Sequence, residues 1–78
     1  MKVGARLTQA QIDVLTLVVE GLYKSPGQIA ARLKCTRYVA QHILDALTRR
    51  NLVTPRSIPG APLIYEPMPR AERTLAAQ

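Results

Sequence analysis

The sequence predicts a small, mainly helical domain that ends in a short β-hairpin. Three segments carry apolar residues at helical spacing, and each follows a residue suited to a helix N-cap, namely Thr8, Ser25 and Thr36. Two short apolar runs then flank residues 59–60, a Pro-Gly pair that is a strong turn signal. Seventy-eight residues suffice for one domain, near the lower limit for a self-sufficient core.

The first predicted helix begins after Thr8, and Gln11 can complete a capping box with it. Two interpretations of its wide apolar surface stay open. The helix is buried on two sides within the domain, or Val14 and Val18 contribute to a dimer contact. The expected inner stripe consists of Ile12, Leu15, Val19 and Leu22, and Val14 and Val18 widen it.

The second helix is capped by Ser25, with Pro26 at its first position and Gln28 closing a capping box. Residues 34–36 form a turn, and Thr36 caps the third helix. The third helix must bury one stripe, formed by Ala40, Ile43, Leu44 and Leu47.

Residues 52–57 and 62–66 are predicted to form two antiparallel strands, joined by a turn at 58–61. Pro55 and Pro62 cannot donate ladder hydrogen bonds, so the ribbon must be short. Leu52 and Ile64 are expected to face the helices. The predicted domain covers residues 1–67, and residues 68–78 form either a short helix or a disordered tail.

The helix pair and its step into the hairpin resemble the helix-turn-helix core of winged-helix transcription factors, especially the MarR-like group. The residues that carry the resemblance are 31–53, Ala-Arg-Leu-Lys-Cys-Thr-Arg-Tyr-Val-Ala-Gln-His-Ile-Leu-Asp-Ala-Leu-Thr-Arg-Arg-Asn-Leu-Val. The match runs without a gap over about 29–53, and with its flanks it extends over about 7–67. Lys34 and Asn51 stand where such motifs often have Gly, and Cys35 where a larger aliphatic residue is common. The resemblance implies a winged helix-turn-helix fold, three helices plus a two-stranded wing, that binds double-stranded DNA as a small transcriptional regulator.

The charge distribution supports an anionic partner independently of the resemblance. The formal net charge is +6, and all of it lies between Lys24 and Arg56, where seven basic residues face a single acid, Asp45. A surface of this kind favours a polyanion or an acidic protein surface.

By position, the resemblance puts the third helix (about 36–50) in the major groove and the wing (about 54–64) on the DNA backbone. The outward stripe of this helix, opposite the buried one, consists of Tyr38, His42, Asp45 and Arg49, with Gln41 on its flank. Asp45 would repel phosphate unless it lies beyond the groove or pairs with Arg49. The candidates for contact with base edges are Arg37, Tyr38, Gln41 and His42. Those for contact with phosphates are Ser25, Lys34, Arg49, Arg50 and Arg56.

The main alternative is a winged helix that binds a protein, as a small inhibitor or adaptor, since Tyr38 and His42 could equally anchor a protein interface. RNA binding is a third alternative. A core this small also favours a homodimer.

Catalytic and metal-dependent functions are not expected. Cys35 and His42 are each the only residue of their type, and two ligands do not make a zinc site. The five acids are scattered, and no phosphate-binding glycine loop is present. The sequence therefore predicts no enzyme, no metal and no cofactor. With no signal-peptide pattern and no possible internal disulfide, it predicts a cytoplasmic protein.

Overall fold

The computed structural model describes residues 6–21 and 23–78. Three helices are followed by a two-stranded antiparallel hairpin and a fourth short helix, which confirms the predicted fold class. The first five residues of the predicted domain 1–67, and Leu22 of the predicted inner stripe, lie outside the described residues. The elements are α1 (Gln9–Glu20), α2 (Pro26–Leu33), α3 (Arg37–Arg49), β1 (Val53–Arg56), β2 (Ile64–Pro67) and α4 (Ala71–Ala76).

The helix starts follow from local hydrogen bonds. Thr8 Oγ1 accepts from the Gln11 N–H at 3.1 Å, and Gln11 Oε1 accepts from the Thr8 N–H at 2.9 Å. The same reciprocal pair joins Ser25 and Gln28 at the start of α2. Both predicted capping boxes are therefore confirmed, and two exposed N–H groups at each helix start are satisfied.

Helices α2 and α3 end in the same way, with a residue in the left-handed conformation. Lys34 has φ +58° and Asn51 has φ +61°. After each of them a backbone N–H reaches back into the helix, from Cys35 to the Ala30 carbonyl at 3.0 Å and from Leu52 to the Leu47 carbonyl at 3.1 Å. These are Schellman motifs, in which the left-handed residue is usually Gly. Lys34 and Asn51 occupy that left-handed position, which is why the family motif often has Gly where this sequence has Lys or Asn.

The buried face of α1 differs from the predicted stripe. Val14, Leu15, Leu17 and Val18 are buried, whereas Ile12 and Val19 lie at the edge of the core. Helix α1 contacts α3, α4 and β2 together, so more than one of its sides is covered. Val14 and Val18 are both 0% exposed, and the dimer contact assigned to them is wrong because they have no surface to offer a partner.

The hairpin pairs Val53 with Pro67 and Arg56 with Ile64. At its tip the Ala61 N–H donates to the Ile58 carbonyl at 3.0 Å, and Gly60 has φ +80°, as the third position of a type II turn requires. The prediction for the inward strand face is correct for Leu52 but wrong for Ile64. Ile64 is only partly buried, and its neighbour Tyr65 faces the core.

The last helix closes the core beside α1. Ala71 is fully buried, and Leu75 packs against the core. The side chain of Gln78 accepts a hydrogen bond from the Leu7 N–H at 2.9 Å, so the end of the described chain meets the segment before α1. Residues 71–76 thus form a short helix that shares the common core.

Candidate nucleic-acid interface

Helix α3 presents a polar face on the side opposite its core stripe. Ala40, Leu44 and Leu47 are buried against the other elements. Successive side chains of a helix point about 100° apart, so the side chains on the far side of α3 from this buried stripe are the ones predicted to face outward. The structure confirms their exposure, and Tyr38 is the most open at 83%. The exposed residues of this face are Tyr38, His42, Asp45 and Arg49, with Arg37 at its N-terminal end.

The first turns of α2 and α3 meet the wing at a shallow cleft of about 240 Å³. Three predicted contact residues line it together, namely Ser25, Arg37 and Gln41. Pro62 and Leu63 of the wing also line this cleft. The fold therefore brings predicted base-edge and phosphate candidates from two helices to one site.

The amide of Gln41 is already engaged inside the chain. Its Nε2 donates to Asp45 Oδ1 at 3.0 Å and to Tyr65 Oη at 2.7 Å. A glutamine that recognises adenine with two hydrogen bonds needs Nε2 as a donor to the base. With both amide hydrogens in use, Gln41 fixes the position of neighbouring side chains rather than offering that pair of bonds.

Of the two alternatives for Asp45, the pairing with Arg49 is not found. Its carboxylate accepts the hydrogen bond from Gln41. Within the described part of the chain, the only ion pair joins Arg56 and Glu66 at 3.2 Å. The Arg49 guanidinium therefore remains available on the exposed face.

Tyr65 is a positioning residue that the sequence analysis missed. It is 3% exposed, and its N–H donates to the Lys24 carbonyl at 2.9 Å. Its hydroxyl accepts a hydrogen bond from the Gln41 amide, so this one residue connects the wing, the segment before α2 and helix α3. Because the Tyr65 N–H points away from β1, its partner Pro55 occupies a non-hydrogen-bonded pair and needs no N–H there. An aromatic residue in a short strand was the available signal.

Two of the predicted phosphate contacts are placed differently from the rest. Arg50 follows the C-terminal end of α3, about 20 Å along the helix from Arg37, and its Nη2 donates to the Arg6 carbonyl at 3.3 Å. It lines a separate cleft of about 500 Å³ with Arg70 and Arg73. Arg56 is partly neutralised by Glu66, although its side chain is 60% exposed. Lys34 and Arg49 remain exposed on the α2–α3 unit.

The tip of the wing is uncharged. Residues 57–63 contain no acidic or basic side chain, and Ile58 and Leu63 are exposed. Within the wing predicted to lie on the DNA backbone, Arg56 is therefore the sole basic residue.

The described residues contain no group of three or more His, Cys, Asp or Glu side chains that could hold a metal ion. Cys35 is a partly buried free thiol. None of the helices in the same residues is long and apolar enough to cross a membrane.

No protein-family model and no curated protein sequence matches the chain. Solved structures do match. DNA-bound wild-type ZitR from Lactococcus lactis is 18% identical with a TM-score of 0.80, and the match covers 91% of this chain and 49% of that one. SP03579, a MarR-family transcription regulator, is 24% identical with a TM-score of 0.83, covering 95% of this chain and 50% of that one.

The chain spans about half the length of these structures. SP03579 is a transcription regulator of the MarR family, and ZitR is a zinc-responsive MarR family member. At this level of identity the likeness concerns the fold. The three helices and the hairpin form a winged helix-turn-helix domain, the fold that is also found in these MarR-family proteins.

Proposed function

We propose that the chain binds double-stranded DNA through the N-terminal half of α3 and acts as a domain of a transcriptional regulator. The observation that carries the proposal is the exposed, cation-bearing first half of α3 beside the cleft shared with α2 and the wing. The DNA complex of ZitR, a protein of the same fold, supports the proposal as well.

The geometry suits the major groove, whose width of about 12 Å admits one helix. With its opposite side buried, α3 can enter the groove by its first turns without disturbing the core. In this position Arg37, Tyr38 and His42 reach base edges, whereas Gln41 positions its neighbours. Lys34 and Arg49 lie beside the reading face, where they can contact phosphates.

The start of α2 supplies a further backbone contact. Helix α2 begins after Ser25, and Ser25, Pro26 and Gly27 line the same cleft as Arg37. Pro26 has no N–H and the Gln28 N–H is bonded to Ser25 Oγ, so the Gly27 N–H is the donor left at this helix start. Helix N-termini favour anions because of their free N–H groups and the helix dipole. We assign this position to a DNA phosphate. The wing contributes one cation, Arg56, in competition with Glu66.

A salt titration on random-sequence duplex DNA tests the proposal. The logarithm of the affinity should fall linearly with the logarithm of the salt concentration, with a slope of about −0.9 for each phosphate contact. The double variant Arg37→Ala, Arg49→Ala removes two exposed guanidinium groups from the α3 face. It should bind more weakly and reduce the magnitude of the slope by about 0.9, through the lost phosphate contact of Arg49.

A matched control is available at the other end of the molecule. The double variant Arg70→Ala, Arg73→Ala removes the same charge from exposed positions beside the separate cleft. The proposal predicts a smaller change in slope for this control than for the α3 variant. Equal slopes for both double variants, or no binding of the wild type at micromolar protein, would contradict it.

The uncharged wing tip favours a second candidate function, binding of a protein. Ile58 and Leu63 expose 47% and 40% of their surface there, and apolar side chains are typical of the centres of protein interfaces. A pull-down with the full chain that retains a protein and no nucleic acid would favour this candidate. The Ile58→Ala, Leu63→Ala variant should then lose the retained protein.

We still propose a homodimer, but one whose interface does not include Val14 and Val18. Sedimentation equilibrium measures the molecular mass directly. A mass equal to that of one chain at micromolar concentration would refute the dimer and leave the proposed DNA contacts unaffected.

A further inference from the structure

Two large apolar side chains are exposed together on the first turn of α3. Tyr38 is 83% exposed, and the next residue, Val39, is 43% exposed. Val39 is neither part of the buried stripe of α3 nor one of the predicted DNA contacts. Its backbone N–H donates to Thr36 Oγ1, the helix cap, at 3.1 Å. Because this cap stabilises the first turn, both side chains project from well-ordered backbone at the N-terminal end of α3.

The free hydrogen-bonding groups beside these two side chains are those of Arg37, His42 and the Tyr38 hydroxyl. Both amide hydrogens of Gln41 are taken by Asp45 and Tyr65, so its pair of bonds to adenine is not available. Arg37 is the only group of the first turn that can recognise guanine with two hydrogen bonds. The remaining contact surface of this turn is the apolar surface of Tyr38 and Val39.

We infer that Tyr38 and Val39 recognise thymine through its 5-methyl group, which makes this turn selective for thymine-containing sites. The inference rests on the proposed DNA-binding function. In the major groove the thymine methyl is the main apolar feature of a base edge, and apolar side chains recognise it by contact. Burying one methyl against the protein changes affinity about fourfold, and burying two changes it about fifteenfold.

Replacing thymine by uracil tests the inference, because uracil lacks only the methyl group and keeps the same hydrogen-bonding edge. Duplexes are first selected from a random pool with the full chain, and the preferred duplex is synthesised with thymine or with uracil. Fluorescence anisotropy at one fixed salt concentration gives the two dissociation constants. The wild type should bind the uracil duplex about fourfold to fifteenfold more weakly.

The double variant Tyr38→Ala, Val39→Ala should bind the thymine duplex more weakly and no longer distinguish the two duplexes. It should also keep the wild-type melting temperature, since both side chains are exposed. The control Ile58→Ala removes an exposed apolar side chain from the wing tip and should retain the full preference for thymine. Uracil also alters duplex flexibility, but that effect would persist in the double variant.

The outcomes separate the inference from the function on which it rests. Selected sites without thymine, equal wild-type affinity for both duplexes, or a preference that survives in the double variant would overturn the inference and leave DNA binding intact. Failure of the wild type to bind either duplex would instead overturn the proposed function, and the inference with it.

Discussion

Helices α1 and α3 are nearly the same length, 12 and 13 residues, yet the fold uses them in opposite ways. Helix α1 is covered by α3, α4 and β2 and contributes four buried residues to the core. Helix α3 buries one stripe and leaves its first turns open to solvent. Substitutions in α1 should therefore change stability, and those on the open face of α3 should change binding alone.

The largest expected effect comes from the same substitution at one valine in each helix. Val18 is 0% exposed, so Val18→Asp buries a carboxylate without a partner and should cost more than about 4 kcal/mol, enough to unfold a domain of this size. Val39 is 43% exposed near the N-terminus of α3, so Val39→Asp should change the free energy of unfolding by less than about 1 kcal/mol. Circular dichroism during urea unfolding measures both. If both variants lowered the free energy of unfolding equally, the contrast between a buried α1 and an open α3 face would be wrong.

Within α3, Leu44→Ala and His42→Ala compare the two faces of a single helix. Leu44 is 0% exposed, and its truncation leaves a cavity that should cost about 2–5 kcal/mol. His42 is exposed, and its removal should alter stability by less than about 0.5 kcal/mol while weakening DNA binding. The midpoint of chemical unfolding and a DNA titration report the two effects separately. A stable Leu44→Ala variant would show that α3 is held by other contacts.

Removing one hydroxyl tests how the open face is held in position. Tyr65→Phe removes the acceptor of the Gln41 amide and should cost about 0.5–1.5 kcal/mol. It should also alter DNA affinity, because Gln41 is released beside Arg37. Tyr38→Phe removes a hydroxyl from a residue that is 83% exposed and should leave stability unchanged. Thermal melts of the two variants provide the comparison, and identical melting temperatures would argue against the positioning role of Tyr65.

The smallest expected effect concerns the ends of the two helices. Helix α1 ends at Gly21 with φ +80°, whereas α3 is followed by Asn51 with φ +61°. Asn51→Gly relieves the left-handed strain and should stabilise the protein by about 0.5–1 kcal/mol. Asn51→Ala should instead destabilise it, because Ala tolerates that conformation poorly. Urea unfolding measures both variants, and a change in the free energy of unfolding in the same direction for both would contradict the strain assigned to Asn51.

Much of the fold could be predicted because its signals are local. Thr8, Ser25 and Thr36 cap the helices through hydrogen bonds to backbone N–H groups three residues on, so position along the chain is enough to find them. The Pro59-Gly60 turn is equally local. The outward face of α3 followed from helical periodicity, because a single polar stripe leaves one orientation possible.

The candidate site was only partly predictable. Arg37 and Ser25 meet at one cleft as expected, but the engagement of Gln41 depends on Tyr65, 24 residues away along the chain. Arg50 and Arg49 are neighbours in sequence, yet only Arg50 turns towards Arg70 and Arg73. Adjacent positions on a helix point about 100° apart, so a run of basic residues divides between two surfaces.

The sequence by itself determined the first three helices, their caps, the hairpin turn and the concentration of positive charge between residues 24 and 56. Only the tertiary structure decided which apolar residues of α1 face inward, that Tyr65 rather than Ile64 enters the core, and that Gln41 is occupied. The physical reason is how far apart along the chain the interacting groups lie. Caps and turns are satisfied by neighbouring backbone groups, whereas the direction of a side chain that can point several ways is fixed by the elements that pack around it.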